Sequence, residues 1–222
     1  MALEEKRTTI LKKFLNEAIK KWEVSEFLER QLVRAGFVKC DIMRTPLGTR
    51  ILIYAERPAQ VIGRRGANIR QLAQILEKKF GIENPQIDVV TVENPELCAK
   101  IMAQRIARAM ARGIKFRRAA FIALRQIMAA GARGAEITIS GKLTSERARF
   151  EKYTVGTMIK CGQDAREKID KAVVYCLLKP GVYGIEVKIL PPVKLEDEIR
   201  IKKPEEVKPE EIEAVAATKS KQ

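Results

Sequence analysis

Residues 61–69 read Val61-Ile62-Gly63-Arg64-Arg65-Gly66-Ala67-Asn68-Ile69, and the fold is read outward from them. Two glycines three apart let a backbone approach a phosphate closely. The free N–H groups and dipole of a helix starting there favour an anion. Arg64 and Arg65 fall between the glycines, where they would face that phosphate. Asn68 and Arg70, in the first turn of the following helix, join Gly63, Arg64, Arg65 and Gly66 in one candidate site. The bland alternative is a tight helix–helix turn with two solvated arginines. The apolar flanks and the surrounding element order favour the phosphate site.

Upstream, Thr8 to Lys21 places Ile10, Leu11, Phe14, Leu15, Ala18 and Ile19 three and four apart, which predicts an amphipathic helix. Ser25 reads as the N-cap of a second helix carrying Leu28, Leu32 and Val33, with Gly36 as its stop. Phe37–Arg44 and Arg50–Ala55 read as strands joined by the turn Thr45-Pro46-Leu47-Gly48. Pro58 opens a short helix, and Ala67–Phe80 forms another with Ile69, Leu72, Leu76 and Phe80 on one face, stopped by Gly81. Gln86–Val92 is a third strand, giving helix–strand–strand–helix–GxxG–helix–strand.

Pro95 opens a second half. Helices are expected over Glu96–Ala111 and Phe116–Ala130. Strands follow at Glu136–Ser140, about Glu151–Ile159, about Lys168–Leu177 and Gly184–Leu190. Lys168–Leu177 is open to a helical reading; Val173, Val174 and Tyr175 favour the strand. Two helices before a run of strands predict an α+β layer, with helices on one face of a mainly antiparallel four-stranded sheet. The expected domains are 1–94, 95–192 and a mixed-charge tail over 193–222. From Leu195 to Gln222 the tail holds six basic and eight acidic residues and few large apolar ones, and is expected to be largely disordered.

The 222 residues carry 43 Lys+Arg against 28 Asp+Glu, a net charge of +15, so a polyanionic partner is expected. No apolar run reaches the roughly 20 residues of a bilayer span, and the N-terminal stretch does not read as a secretory signal. The chain has no histidine, which removes histidine-based catalysis and His-containing zinc sites. Cys40, Cys98, Cys161 and Cys176 form no C-x-x-C pair and read as small buried hydrophobes of an intracellular protein. No nucleotide-binding glycine motif occurs beyond the GxxG. No metal, cofactor or catalytic residue is expected.

Leu97 to Ala135 contains Lys100, Arg105, Arg108, Arg112, Lys115, Arg117, Arg118, Arg125 and Arg133 and not one acid. Arg105, Arg108 and Arg112 are spaced i, i+3, i+7, so they stack on one helix face, where they are expected to neutralise phosphates. Guanidinium suits that task because it is planar, permanently charged and bidentate. The alternative is an ordinary solvated face, but such faces normally mix signs. Aromatic residues are only 5%, so phosphate and shape contacts should outweigh base stacking.

Val61–Ile69 resembles the I-G-x-x-G-x-x-I signature of KH RNA-binding domains. Two strands before the GxxG and one after it look like the second, prokaryotic type. The second half resembles the carboxy-terminal domain of the small-subunit ribosomal protein three family. The resemblance rests on Phe116-Arg117-Arg118-Ala119-Ala120, Gly131-Ala132-Arg133-Gly134, Ile139-Ser140-Gly141-Lys142-Leu143 and Pro180-Gly181-Val182-Tyr183-Gly184-Ile185-Glu186-Val187-Lys188-Ile189. Together the halves cover about residues 1–192, in what looks like the archaeal form.

The resemblance implies a structural constituent of the small-subunit head, in the cytoplasmic ribosome. Its implied partners are small-subunit ribosomal RNA, mRNA and neighbouring head proteins, with no membrane and no homo-oligomer. It also implies that the protein lines the mRNA entry channel, with Arg117 and Arg118 as the paired channel arginines. Bacterial members carry a further basic residue where this chain has Phe121, so only the pair is carried over. Arg147 and Arg149 lie in a loop where the family has basic residues near RNA.

The rival readings are a free-standing KH protein, such as a ribosome-maturation factor, and a DNA lyase or nuclease using Lys115 or Lys142. Nothing in the sequence activates either lysine. A membrane-surface role lacks the aromatic interfacial face it would need.

Overall fold

The computed structural model describes residues 10–45, 48–82 and 84–193. The described residues up to Pro192 form one compact unit. Its buried apolar side chains gather in two clusters, one drawn from residues 24–89 and one from 97–189.

The chain opens with α1, Ile10–Gln31, a single helix where two were expected. Ser25 caps nothing: it lies inside the helix, since no glycine or proline interrupts the run and an interior serine costs only about 0.5 kcal/mol. Val24, Leu28 and Leu32 bury the C-terminal half of that face. The expected apolar face of the N-terminal half is not buried. Phe14, Leu15, Ile19 and also Trp22 stand exposed. The side chains of Ile10 and Leu11 lie outside the described set.

A 3₁₀ turn over Val33–Ala35 ends at Gly36, whose φ of 72° suits glycine. A Cβ there would also lie 2.7 Å from that of Glu56. Strands β1 (Phe37–Thr45) and β2 (Gly48–Ala55) pair antiparallel up to Thr45 and Gly48; Pro46 and Leu47 of the expected turn lie outside the described residues. Helices α2 (Pro58–Ile62) and α3 (Ala67–Phe80) flank the GxxG turn. Strand β3 (Pro85–Thr91) runs parallel to β2, giving the order β1-β2-β3. This is the helix and strand order expected from the sequence.

In the second half, α4 (Ala99–Ala111) and α5 (Phe116–Ala129) cover one face of a fully antiparallel sheet, ordered β5-β4-β7-β6. The strands are β4 (Gly134–Gly141), β5 (Arg149–Gly156), β6 (Asp170–Leu178) and β7 (Gly181–Leu190). A one-turn helix α6, Asp164–Glu167, precedes β6 where no element was expected. Thr157–Ile159 falls outside β5, and Lys168 caps α6 before β6 begins. The core face carries Ile137, Ile139, Ile185, Val187 and Ile189, all fully buried against Met102, Ile106 and Ile127 of the helices. Asp170 of β6 caps α4, its Oδ2 accepting the Ala99 N–H at 2.7 Å across 71 residues of sequence. The expected tail, 193–222, lies outside the described residues except for Val193.

Candidate nucleic-acid interface

The GxxG turn is built from left-handed backbone. Gly63 has φ 73° and ψ −177°, a combination almost confined to glycine, and Arg65 and Gly66 follow at φ 52° and 74°. Asn68 is exposed and also braces the turn itself. Its Nδ2 donates to the Gln60 carbonyl at 3.0 Å, tying α3 back to α2, and its amide fills the space a Cβ on Gly63 would need. Arg64, Arg65 and Arg70 are exposed.

Beside the turn opens a groove of about 1260 Å³. Arg34, Arg57, Arg64 and Arg108 line it, together with Gly63, Asn68 and Gln71, and none of its lining residues is acidic. Arg34 and Arg57 were not singled out from the sequence. They are 23 positions apart, but the Arg57 N–H donates to the Ala35 carbonyl at 3.0 Å, which places both on one rim. The only sequence cues were a basic residue two before Gly36 and one just before Pro58.

The arginine stripe of α4 needs correction. Arg105 and Arg108 are not on an open face. Arg105 Nη2 meets Glu56 Oε1 at 2.9 Å and its Nη1 meets Glu96 at 3.6 Å; Arg108 Nη2 stands 3.7 Å from Glu56 Oε2. Glu56 is only 9% exposed, and the two arginines are 28% and 27% exposed. On the same helix Lys100 pairs with Glu29 at 3.0 Å, and the buried Gln104 donates to the Phe37 carbonyl at 3.3 Å. The main counter-charges of Lys100, Arg105 and Arg108 come from the first half of the chain. Arg108 still reaches the groove wall, and Arg112 is exposed.

A second basic surface sits at the start of α5. Lys115, Arg117 and Arg118 occupy the N-terminal end without a capping side chain. There the helix dipole is already positive, so the local field doubly favours an anion. Arg117 forms a fork with Glu151 of β5, Nε at 3.0 Å and Nη2 at 2.8 Å. The Tyr153 hydroxyl donates to the same carboxylate. Arg117 and Tyr153 together hold the Glu151 carboxyl down at about 2. Burial and that carboxylate push the Tyr153 phenol up to about 12. Arg118 is exposed and makes no ion pair among the described residues. Phe121 packs on Tyr153 with ring centroids 5.2 Å apart, so an aromatic pair fills the position one turn on. Arg149 lies on the Glu151 side of β5, about 7 Å along the strand, while Arg147 is exposed in the preceding loop.

Among the described residues there is no metal-type cluster of histidine, cysteine or carboxylate groups, and no helix long and apolar enough to cross a membrane.

Comparison with known proteins gives both halves in order. Residues 23–97 match the KH domain family, and residues 106–189 match the C-terminal domain of ribosomal protein S3. The small ribosomal subunit protein uS3 of Pyrobaculum calidifontis is 53% identical over 92% of this chain and 96% of its own length. Its counterpart from Thermofilum pendens is 54% identical over 88% of this chain and 96% of its own length. That from Methanocaldococcus jannaschii is 50% identical over 88% and 94%. With a KH fold followed by this α+β domain, and identity at this level over most of both lengths, the chain belongs to the small ribosomal subunit protein uS3 family, whose members are structural, non-enzymatic components of the cytoplasmic small subunit.

Proposed function

We propose that the protein holds small-subunit ribosomal RNA in the GxxG groove and meets mRNA at the start of α5. The observation that carries the first part is the groove itself: four arginines, a glycine-built turn and no carboxylate among its lining residues. A phosphate backbone fits that chemistry because each uncompensated guanidinium offers paired donors to an oxyanion. Gly63, Arg64, Arg65 and Gly66 contact the backbone, with Arg70 and Arg112 adding long-range attraction and Asn68 setting the turn.

Arg117 and Arg118 divide the second task. Glu151 fixes Arg117 in one orientation and leaves its outer N–H groups free for a phosphate, while Arg118 supplies uncompensated charge. Arg147 and Arg149 widen the same surface. Unwinding here is passive: the cations hold strands already parted, and no nucleotide-hydrolysing motif drives them.

The test uses reconstituted ribosomes. Arg117→Ala with Arg118→Ala should slow translation of hairpin-containing messages several-fold and leave unstructured messages and assembly unchanged. Equal slowing of both would remove the channel assignment. Arg57→Ala with Arg64→Ala should instead weaken binding of the chain to small-subunit RNA and reduce its salt slope by about two units.

A further inference from the structure

A cleft of about 510 Å³ opens beside the start of α5, where three connections meet. The link from α4 to α5 gives Ile114, the loop after β4 gives Leu143 and Thr144, and the β6–β7 hairpin gives Leu178 and Tyr183. Met110 and Phe116, near the facing ends of the two helices, complete the apolar lining. Tyr183 is buried and its hydroxyl donates to the Lys142 carbonyl, which ties the loop after β4 to the sheet. Gly141 permits that close approach, since a Cβ there would lie 2.8 Å from the Tyr183 ring. The cleft is therefore built into the fold, and its size falls within the range of about 300–1,000 Å³ usual for small-ligand sites. Ile114 and Thr144 are exposed at its mouth.

The charges around it tell what fits. No carboxylate lines the cleft, whereas Lys115 and Arg117 both do. They stand at the uncapped N-terminal end of α5, and the Arg117 guanidinium carbon lies 5.7 Å from the centre of the Phe116 ring. An occupant must be apolar in body and anionic at the rim. A nucleotide is both: its planar base suits the cleft, and its phosphate suits the cations and the free N–H groups of the helix end. Arg118, exposed and without an ion pair among the described residues, extends the two cations into a run. Such a run suits a repeating phosphate chain better than the single carboxylate of a peptide. A base inside a duplex is stacked and paired, so only an unpaired base can enter. The cations alone make no such distinction, because single and double strands both carry phosphates.

We infer that this cleft takes one unpaired base of mRNA, stacked on Phe116 between Ile114 and Leu143, with its phosphate on Lys115 and Arg117. The inference rests on the placing of mRNA at the start of α5 proposed above and adds what keeps the parted strand open. A base seated in the cleft is withdrawn from re-pairing, so passive holding favours the single strand over the hairpin. Selection among the four bases is weak, because apolar walls and a ring face read no hydrogen-bond pattern.

The first test is fluorescence anisotropy of the full chain with a short uridine strand and with an abasic strand of the same length. Thr144→Trp fills the mouth and Ile114→Ser weakens a wall; both positions are exposed, so thermal melts should match the parent. Each variant should weaken binding of the uridine strand about tenfold, the order expected of one stacked base, and leave the abasic strand and the salt slope unchanged. Arg117→Ala with Arg118→Ala should weaken both strands. Cleft variants that weaken both strands alike, or neither, would overturn the inference. The arginine variant then separates the two readings: if it still weakens both strands, only the cleft falls, and if it weakens neither, the mRNA assignment falls with it. The second test places a benzoylphenylalanine at position 144 in small subunits programmed with a message. The expected photo-adduct joins it to the message. An adduct only with ribosomal RNA or with a subunit protein, or no adduct at all, would overturn the inference.

Discussion

At the scale of the residue, Glu151 governs the α5 surface without contacting any ligand in this proposal. It takes up part of Arg117, accepts from Tyr153 and offsets two cations placed at the unfavourable end of a helix. Its folded-state carboxyl sits at about 2, below the usual 4.5. The stabilisation is therefore complete above the usual value and is lost as the pH falls from about 5 through about 2. Glu136 and Glu186 act in the same direction. Burial raises Glu136, but Lys152 and Lys188 outweigh it; Lys171 chiefly lowers Glu186. Glu151→Gln should flatten part of the acid limb of a stability–pH profile measured by thermal melts. It should also free Arg117, steepening the salt dependence of RNA binding by about one unit. A slope unchanged from the parent would mean Arg117 is not reaching RNA.

At the scale of the element, the GxxG turn shows that its two glycines are not equivalent. Gly63 combines φ 73° with an extended ψ and has the Asn68 amide 2.6 Å from where a Cβ would stand. Gly66 is simply left-handed, with open space around it. Gly63→Ala should cost about 1–3 kcal/mol and loosen the α2–α3 turn, whereas Gly66→Ala should cost only about 1 kcal/mol. Urea denaturation of both variants checks this, and equal costs would contradict the account. The helix α1 makes a different point. Its periodicity was fully legible, but periodicity does not say whether an apolar stripe meets a partner within the chain. Val24 and Leu28 do; Phe14 and Trp22 do not.

At the scale of the whole molecule, α4 locks the two halves together. Glu56 sits over Gly36 and meets both Arg105 and Arg108, while Lys100 and Gln104 reach Glu29 and Phe37. Glu56→Ala would leave two partly buried guanidiniums without their main counter-charge, so it should cost about 3 kcal/mol. It should also broaden the unfolding transition as the halves uncouple. Differential scanning calorimetry tests both effects; a sharp, unshifted transition would mean the junction contributes little.

The bounds of α3, the stop at Gly81, the GxxG turn between two helices and the presence of β4 and β7 were all determined by the sequence alone. Each depends on local backbone sterics or on a burial period of two or 3.6 residues, which neighbouring residues carry in full. The KH order and the helices-then-strands layout follow from the same signals. Only the tertiary structure decided the rest. It joined Arg34 and Arg57 to the groove, gave α4 its cap from Asp170, and turned an acid-free stretch into a neutralised junction. The reason is physical: Coulomb attraction and hydrogen bonding act through space, and the carboxylates that answer Lys100, Arg105 and Arg108 arrive from another part of the chain. A count of charges along the sequence sees one side of each pair, and only the fold brings in the other.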